Sequence, residues 1–546
     1  MRRKATSDLW WKNAVVYCLD VETFLDTDGD GCGDLMGLTD RIDYLGGIGV
    51  SCLWLMPFCP SPRRDDGYDI SDFYGIDERF GTPGDFAEMV RTAGDRGIRV
   101  IADLVVNHTS TDHPWFRSAR EDPDSAFRDF FVWADEKPEE KPGDVVFPDK
   151  EESNWAFDDA AGKWYLHRFY SHEPDLNVAN RAVRDEIAQV AGYWLDQGVA
   201  GFRVDAVPFL LEPVGMPEGT LQDPHELMRE LRRFIGRRRG DAILMGEVNL
   251  EPGQQREFFG DEDGDELHMV LNFAVNQAMY LALAREDATP LAEALKALPE
   301  LPQDCQWANF VRNHDELTLD KLSEDERREV FEAFGPEEEH QLYGRGLRRR
   351  LPSMLDGDDD RIRMVYSLVF SLPGTPVLFY GEEVAMREQL EIEGRMSVRA
   401  PMQWSPERHR GFTTAERPVR PPAPDGGDVA TQRRDPASLL SWMERLIRRR
   451  RECPELGWGE CTLLETAEPA VLAHRADWDG STIVALHSFG AEPVTVRVEV
   501  GDVEAAVDLF SDEDLHPDGD GAIEVELGRY GHRWFRLRPQ GGRVAP

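Results

Sequence analysis

The feature that most constrains the fold is a repeated alternation of short apolar runs with amphipathic helical stretches over the first two thirds of the chain. Helical patterns such as Thr82–Asp95 and Arg181–Asp196 lie between apolar runs that read as buried strands. Because an open sheet requires no particular number of strands, eight such units favour a closed (β/α)8 barrel of the TIM type. The predicted strands are Ala14–Leu19, Ser51–Met56, Ile98–Val105, Ala200–Asp205, Ala242–Glu247, His268–Phe273, Gln306–Val311 and Pro376–Tyr380.

Two departures from this alternation predict further parts of the molecule. The gap between the third and fourth strands is too long for an ordinary connection, and it carries aromatic residues that need burial, so we expect an inserted subdomain over one barrel face rather than a disordered loop. Near the C-terminus, alternating apolar residues predict a small antiparallel β-sandwich. The predicted domains are 1–106 and 181–404 for the catalytic barrel, 107–180 for the inserted subdomain, 405–458 for a linker and helix, and 459–546 for the C-terminal β-domain.

Composition argues against several classes of partner. With 62 Lys+Arg against 104 Asp+Glu, the formal net charge is −42, which would repel a phosphate backbone and argues against a nucleic-acid partner. No apolar run reaches the ~18 residues of a membrane span, and the basic start lacks the apolar stretch of a signal peptide. The seven cysteines are odd in number and show no CxxC spacing, which fits reduced thiols. We therefore expect a cytoplasmic globular protein with no membrane partner.

Charged residues follow the carboxyl ends of several predicted strands. In barrel enzymes, the catalytic residues lie at this end of the barrel. Arg203 and Asp205 are two residues apart, so they share one face of a strand, and the guanidinium would keep the carboxylate ionised. Glu247 ends the next strand, where burial and like charge would raise its pKa. One ionised and one protonated carboxyl are what glycoside hydrolysis requires, and a separation of about 5–5.5 Å would make the reaction retaining.

Asp315 follows the seventh predicted strand and would be a third acid that holds sugar hydroxyls. His108 and His314 are placed to donate hydrogen bonds to other hydroxyls. An isolated strand-end Asp is more often a helix cap, and a lone His is usually structural. Four such segments in order favour the catalytic interpretation.

The same segments resemble the four signature regions of the α-amylase family of glycoside hydrolases: Asp-Leu-Val-Val-Asn-His (103–108), Gly-Phe-Arg-Val-Asp-Ala (201–206), Gly-Glu-Val (246–248) and Arg-Asn-His-Asp-Glu (312–316). The resemblance covers the barrel, the insertion and the C-terminal β-domain. It implies the following roles: Asp205 as nucleophile, Glu247 as acid/base, Asp315 as transition-state stabiliser, and Arg203, His108 and His314 around the bound glucose.

Two further stretches, 64–70 and 398–404, are similar to segments of the exo-acting members of the family. This similarity implies that Asp69 and Arg399 clamp the terminal hydroxyls of a non-reducing glucose, with Tyr68 stacked on the sugar ring. A salt-bridged pair at the end of the pocket would leave room for one sugar unit. An interdomain salt bridge is the alternative interpretation of this pair.

Within the family, the trehalose synthases, which interconvert maltose and trehalose, resemble this chain over 10–17, 167–177 and 310–319. The chain differs from them after Glu247, over 211–225 and over 391–397. The resemblance implies a retaining enzyme of small α-glucosides of the maltose and trehalose class. Isomerisation, hydrolysis and glucosyl transfer stay open, as do an α-glucosidase of different linkage preference and a non-catalytic, sugar-binding scaffold.

Residues 26–34 read Asp-Thr-Asp-Gly-Asp-Gly-Cys-Gly-Asp, with oxygen donors at every second position and glycines that permit a tight loop. Ca²⁺ prefers such oxygen-rich loops, although an EF-hand would need Glu where Gly37 stands. The family resemblance implies a structural Ca²⁺ held by the side chains of Asp26, Asp28, Asp30 and Asp34 and the carbonyl of Cys32. An acidic surface turn is the alternative.

Overall fold

The computed structural model, which describes residues 9–140, 145–211, 223–511 and 513–541, contains a closed barrel of eight parallel strands. Each strand pairs with its predecessor and successor in the chain, and the eighth closes on the first. The predicted (β/α)8 barrel is therefore confirmed, and most observed strands are shorter than predicted because their end residues enter loops. The strands are β1 (Val16–Leu19), β2 (Cys52–Leu55), β3 (Arg99–Leu104), β4 (Gly201–Val204), β5 (Ile243–Gly246), β6 (Met269–Leu271), β7 (Gln306–Phe310) and β8 (Thr375–Phe379).

Helices surround the barrel, and local sequence signals set their ends. The helix that follows β2 begins after Thr82, whose hydroxyl accepts from the backbone N–H of Asp85, while the Asp85 carboxylate accepts from the N–H of Thr82. The main helices are α1 (Leu35–Ile48), α2 (Pro83–Asp95), α3 (Arg181–Asp196), α4 (Glu226–Arg238), α5 (Pro252–Glu257), α6 (Phe273–Arg285), α7 (Asp359–Ser371) and α8 (Leu439–Arg451). Further α-helices are Pro114–Glu121, Val207–Leu211, Thr289–Ala297, Glu324–Phe334, Leu351–Met354, Val429–Gln432 and Glu455–Trp458.

The long connection between β3 and β4 contains a three-stranded antiparallel sheet with the strand order Trp133–Ala134, Lys163–Leu166, Trp155–Asp158. Trp155 and Tyr165 are buried, as their aromatic character required. A backbone bridge between His108 and Asp175 ties the start of this insertion to its end beside the barrel. A second small sheet, made of Leu317–Thr318, Gly346–Leu347 and Gln341–Leu342, follows β7.

The C-terminal part forms a six-stranded and a two-stranded antiparallel sheet. Both sheets contribute to one apolar core, in which Val484 and Phe535 of the larger sheet meet Val496 and Val525 of the smaller one. The predicted antiparallel β-sandwich is confirmed. Its strands are β9 (Glu460–Leu464), β10 (Val471–Trp478), β11 (Ser481–Ser488), β12 (Val494–Glu499), β13 (Val503–Asp508), β14 (Asp514–Leu515), β15 (Ala522–Leu527) and β16 (His532–Pro539).

The Pro- and Arg-rich stretch 405–435 has little regular structure, but it is packed along the first barrel loop. The N–H of Val419 donates to the Gly31 carbonyl at 2.7 Å, and the N–H of Asp26 donates to the Phe412 carbonyl at 3.0 Å. The stretch therefore acts as part of the barrel's rim rather than as a free linker.

In the part of the chain that the structure describes, no helix is both long enough and apolar enough to cross a lipid bilayer.

Candidate active site

One buried guanidinium organises the acids at the carboxyl ends of β3, β4 and β5. Arg203 Nη1 donates to Asp103 Oδ1 at 3.0 Å and to Asp205 Oδ1 at 2.5 Å, and its Nη2 donates to Glu247 Oε2 at 2.6 Å. The Arg203 side chain is fully buried. Because two nitrogens of the same group bind Asp205 and Glu247, these carboxylates are held side by side, as predicted from their strand-end positions.

The chain turns sharply directly after Asp205. Ala206 has a φ of 47°, in the left-handed region that a residue with a Cβ rarely adopts. This turn aims the Ala206 N–H at Glu247 Oε2, at 3.3 Å. Backbone strain of this kind is typical of functional sites.

Burial dominates the proton affinities of the two acids. It raises the pKa of Asp205 to about 6, because Arg203 offsets only part of the desolvation. Burial likewise raises the pKa of Glu247 to about 7, against Arg203 and together with the charges of Asp205 and Asp315. Arg203 does lower the pKa of Asp205, as predicted, but desolvation of this fully enclosed carboxylate is the larger effect, so the net shift is upward. Glu247 nevertheless holds its proton more strongly than Asp205.

Asp315 faces these acids from the loop after β7 and is bound by two cations. Arg395 Nη1 and Arg399 Nη2 each donate to Asp315 Oδ1 at 2.8 Å, and His314 Nε2 lies 3.1 Å from Oδ2. Burial would raise the pKa of Asp315, but His314, Arg395 and Arg399 lower it well below its usual range. Asp315 is therefore ionised at neutral pH.

Tyr68 and His314 form a stacked pair beside Asp103. Their ring centroids are 5.7 Å apart with an angle of 13° between the planes, and Tyr68 Oη lies 2.7 Å from His314 Nε2. His108 Nε2 lies 3.2 Å from the Tyr68 carbonyl oxygen. Burial lowers the pKa of both His108 and His314 to about 4, so both rings are neutral at pH 7.

A cavity of about 580 Å³ opens onto these residues, a volume within the range of small-molecule sites. Among the predicted site residues, five line it: Tyr68, His108, Asp205, Glu247 and Asp315. Arg203, His314 and Arg399 lie behind its wall and contact the acids instead. Four phenylalanines also line the cavity, together with polar residues such as Asn249, Asp320 and Lys321: Phe147, Phe169, Phe209 and Phe273.

Asp69 does not take part in the expected clamp. It is fully buried, and its carboxylate accepts hydrogen bonds from the Ser61 hydroxyl at 2.6 Å and from the backbone N–H of Arg64 at 3.1 Å. Arg399 pairs with Asp66 instead, at 2.6 Å. The predicted Asp69–Arg399 pair is therefore wrong, because Asp69 is needed to close its own loop.

Asp65 and Arg395, neither of them among the predicted site residues, form an ion pair in the cavity wall. Arg395 Nη2 lies 2.5 Å from Asp65 Oδ1, and the Phe147 ring lies 4.9 Å from the guanidinium. Three acids fall within 65–69, and a loop has no periodicity to show which one points inward. Gly394, directly before Arg395, was the sequence signal for a tight turn at this position.

The first-loop acids partly converge. Carboxylate oxygens of Asp26, Asp28 and Asp34 lie within 4.8 Å of one another. Asp30 is outside this group, and its Oδ1 accepts from the Cys32 N–H at 2.7 Å. The Asp30 N–H donates to Asp28 and favours its charged form, but the pKa of the exposed Asp28 is still raised, because slight desolvation and the charges of the neighbouring acids outweigh that bond. Three converging carboxylates fit a hard divalent cation.

Comparison with known proteins finds two matching family models and a relative that spans nearly the whole chain. The model of the α-amylase catalytic domain matches residues 20–333 and 347–459, and that of the sucrose hydrolase-like C-terminal domain matches residues 480–536. The "Trehalose synthase/amylase TreS" of Mycobacterium tuberculosis (strain CDC 1551 / Oshkosh) is 38% identical over 543 residues, which cover 97% of this chain and 90% of that protein.

More distant relatives also match nearly the whole length of this chain. An oligo-1,6-glucosidase of Parageobacillus thermoglucosidasius is 29% identical and covers 97% of this chain and 99% of its own length. An inactive double mutant of MutB, solved in complex with isomaltulose, superposes with a TM-score of 0.78 at 25% identity over 97% of this chain and 99% of that one. The chain is a member of the α-amylase family of glycoside hydrolases and transglucosidases.

Proposed function

We propose that this enzyme acts on small α-glucosides of the maltose and trehalose class by a retaining mechanism through a glucosyl–Asp205 intermediate. The observation that carries the proposal is the sharing of the Arg203 guanidinium by Asp205 and Glu247 at the floor of the cavity, with Asp315 opposite. Neighbouring carboxylates of unequal proton affinity are the arrangement that double displacement requires.

In the first step, the Asp205 carboxylate attacks the anomeric carbon while Glu247 gives its proton to the glycosidic oxygen, and the bond to the leaving sugar breaks. In the second step, Glu247 takes a proton from an acceptor hydroxyl, whose oxygen attacks the same carbon and releases Asp205. Water as acceptor gives hydrolysis, and a sugar hydroxyl gives transfer. Asp315 is held ionised by Arg395 and Arg399, so it suits binding of sugar hydroxyls near the developing positive charge.

The Asp65–Arg395 ion pair supports action at a terminal glucose. It stands in the cavity wall with Arg395 also bound to Asp315. A wall at this position would close the end of the cavity and leave room for only one sugar unit on that side of the scissile bond. We therefore propose that this pair binds the outer hydroxyls of the non-reducing glucose.

The test is product analysis with trapping of the intermediate. Purified enzyme is incubated with maltose, trehalose, sucrose and isomaltose; trehalose formed from maltose indicates an isomerase, glucose alone a glucosidase, and longer sugars a transferase. A 5-fluoro-α-glucosyl fluoride should label the peptide that contains Asp205.

We expect Asp205→Asn to lose at least about 10⁴-fold in kcat, because the nucleophile is removed, whereas the surface variant Asp112→Asn should be unaffected. Normal turnover in Asp205→Asn would overturn the proposal, and binding without turnover of any substrate would favour a non-catalytic scaffold.

We propose in addition that the first loop holds a structural Ca²⁺ through Asp26, Asp28 and Asp34. The support is the convergence of these three carboxylates. When bound, the cation would neutralise the loop that precedes α1. Asp30 and the Cys32 carbonyl are also ligands implied by the family resemblance, but the Asp30 side chain does not join the cluster.

Metal content and thermal unfolding test this site. Chelation should lower the melting temperature of the wild type by several degrees, since a bound ligand stabilises the folded state. Asp28→Asn should remove both the bound metal and the effect of the chelator, whereas Asp30→Asn should keep them. Wild-type protein that contains no metal after exposure to Ca²⁺ would contradict this assignment.

A cytoplasmic location is part of the proposal. All seven cysteines are free, and six of them are buried, which suits a reducing compartment.

A further inference from the structure

A second cavity lies at the amino-terminal end of the barrel, at the opposite end from the candidate active site. Its volume is about 550 Å³, within the range of small-molecule sites. Ser51 and Ala200, which directly precede β2 and β4, line it together with Arg99, the first residue of β3. Ala200 and Asp205 flank the two ends of β4, and five residues of extended chain span roughly 16 Å. A ligand in this cavity would therefore not compete with a sugar beside Asp205.

Part of the cavity wall is aromatic and aliphatic. Trp10, from the segment before β1, and Trp458, at the end of the short helix Glu455–Trp458, are both partly exposed. Val90 and Ile98 lie in the same wall. Indole and aliphatic side chains offer the flat apolar surface on which the C–H groups of a sugar ring can pack.

The charged residues in the wall are all cationic. Arg99, Arg239 and Arg451 line the cavity, and none of the described residues that line it is acidic. Behind the wall, Asp241 Oδ2 accepts from Arg99 Nη1 at 2.8 Å and Asp241 Oδ1 accepts from Arg239 Nε at 3.1 Å. One carboxylate shared by two of three guanidiniums leaves an excess of positive charge among the described residues. The cavity is thus electropositive, although the chain has a net charge of −42.

Two of these arginines have N–H groups available to a ligand. Arg239 Nη1 donates to the carbonyls of Gly198 at 2.9 Å and Val199 at 2.8 Å, whereas its Nη2 makes no hydrogen bond to a described residue. Arg451 is exposed at the end of α8, and its side chain makes a single long contact with a described residue, from Nη1 to the Gly49 carbonyl at 3.4 Å. Guanidinium groups bind phosphate and carboxylate oxygens through paired N–H donors.

The groove between α3 and α4 shows the more usual state of arginines on this surface. Arg181 and Arg184 line that groove, but so do Asp185 and Glu230. Arg181 Nε lies 3.2 Å from Asp185 Oδ1, and Arg184 Nε lies 3.9 Å from Glu230 Oε2. The cavity beneath the barrel differs, because its wall supplies guanidiniums without acids.

A neutral polar group completes the wall. Asn13 lines the cavity, and its Oδ1 has no hydrogen-bond partner among the described residues. A side-chain amide both donates to and accepts from hydroxyl groups. The wall therefore combines donors for an anion, a group for hydroxyls and an apolar surface.

We propose that this cavity binds a phosphorylated sugar, with its phosphate at Arg239 and Arg451 and its ring against the apolar wall. A phosphate monoester carries close to two negative charges at pH 7, which matches the excess of positive charge. A neutral sugar would leave the guanidiniums without a counter-charge, and inorganic phosphate would leave Asn13 and the tryptophans unused.

Calorimetric titration in phosphate-free buffer of low ionic strength tests the ligand class. The probes are glucose 6-phosphate, glucose and inorganic phosphate. We expect glucose 6-phosphate to bind with a dissociation constant at least about 10-fold lower than that of either other probe, since it alone uses both parts of the wall, and to raise the melting temperature. Absence of binding at millimolar glucose 6-phosphate would overturn the proposal, and equal affinity for inorganic phosphate would overturn the assignment to a sugar.

Variants of α8 locate the bound phosphate. Arg451→Met should raise the dissociation constant for glucose 6-phosphate at least about 10-fold, because a charge-assisted hydrogen bond is lost. Its melting temperature without ligand should be normal, since the side chain is exposed. The control is Arg448→Met, which changes an exposed arginine of the same helix that pairs with Glu444 and should bind like the wild type. Unchanged affinity in Arg451→Met would place the ligand elsewhere.

Competition with maltose distinguishes this cavity from the active site. In Asp205→Asn, saturating maltose should leave the affinity for glucose 6-phosphate unchanged, and crystals soaked in glucose 6-phosphate should show its phosphate in contact with Arg451. Displacement by maltose would mean that glucose 6-phosphate binds in the active site, and would overturn the proposal. Because the titration requires no turnover, failure of the proposed catalysis would leave its result intact.

Discussion

At the scale of single residues, the two acids that share Arg203 differ in how strongly they hold a proton. The pKa of Asp205 is about 6 and that of Glu247 about 7, both raised by burial. The proposed first step needs Asp205 ionised and Glu247 protonated. Below pH 6 Asp205 gains a proton, and above pH 7 Glu247 loses one. We therefore predict that kcat/KM follows a narrow bell-shaped curve with its maximum between these values, measured from pH 4.5 to 9 on maltose.

A variant assigns the alkaline limb of this curve. With α-glucosyl fluoride, whose leaving group needs no proton, Glu247→Gln should retain glucosylation and lose the decline at high pH. Persistence of that decline in Glu247→Gln would show that another group controls it.

The candidate site shows which residues a sequence can locate. Asp205, Glu247 and Asp315 could be predicted because parallel strands of a barrel bring their carboxyl ends to one rim. Asp65 and Arg395 could not, because they stand in a loop and in a single-turn 3₁₀ segment, where side-chain direction depends on contacts made far away in the chain. The error over Asp69 has the same origin.

At the scale of elements, the irregular stretch 405–435 supports the site from behind. Arg420 lies 2.6 Å from Glu22 and also pairs with Asp66. Asp66 in turn binds Arg399, which reaches Asp315. A chain of ion pairs, buried except at the partly exposed Arg420, therefore connects this stretch to a proposed catalytic acid.

We predict that Arg420→Met lowers kcat by roughly 10²-fold with a smaller change in KM, because misplacing a reacting group by about 1 Å costs that much. Arg420→Lys should recover part of the loss, since it restores one charge but not the fork of the guanidinium. The exposed Arg408, which donates to the Glu416 carbonyl, provides the control Arg408→Met with normal kcat. A loss of stability in Arg420→Met without a fall in kcat would show that the stretch is only structural.

The elements themselves were predictable to different degrees. All eight barrel strands could be found because buried parallel strands are continuous apolar runs. In the C-terminal sheets, the alternating pattern does not predict β9, β13 or β14. It does predict the other five strands, at Val471–Arg475, Thr482–Ser488, Val494–Val500, Ile523–Leu527 and Arg533–Leu537. β9 is only partly buried along its length, and β14 has two residues, so neither gives a clear period of two. Tertiary pairing, not local pattern, determines them.

At the scale of the whole molecule, two buried histidines and a third that is partly buried lie where the C-terminal sheet packs against α7. His474 and His487 are 6.3 Å apart and His487 and His532 6.4 Å apart, with nearly parallel rings. His474 Nε2 lies 3.1 Å from the Ser371 hydroxyl, and His487 Nε2 lies 3.0 Å from that of Ser367. The rings therefore join the sheet to the barrel as neutral groups.

Burial lowers the pKa of His474 and His532 to about 4 and that of His487 well below its usual range. The charges nearest to His532 are Arg363, which lowers its pKa further, and Asp508 and Asp360, which raise it. Above pH 6.5 the folded and unfolded chains are both neutral at these positions, so the stability is fully present. As the pH falls toward 4, only the unfolded chain gains protons, and stability is lost.

We predict that acidification from pH 6.5 to 4 costs about 3 kcal/mol of unfolding free energy for His474 alone, given its pKa of about 4. His474→Gln keeps a donor toward Ser371 but does not titrate, so its unfolding free energy should fall less steeply over this range. His516→Gln, at an exposed position of the same domain, should follow the wild type. Denaturant unfolding followed by tryptophan fluorescence at several pH values measures the slopes. Parallel slopes for His474→Gln and the wild type would place the acid sensitivity in other groups that bind fewer protons in the folded than in the unfolded chain.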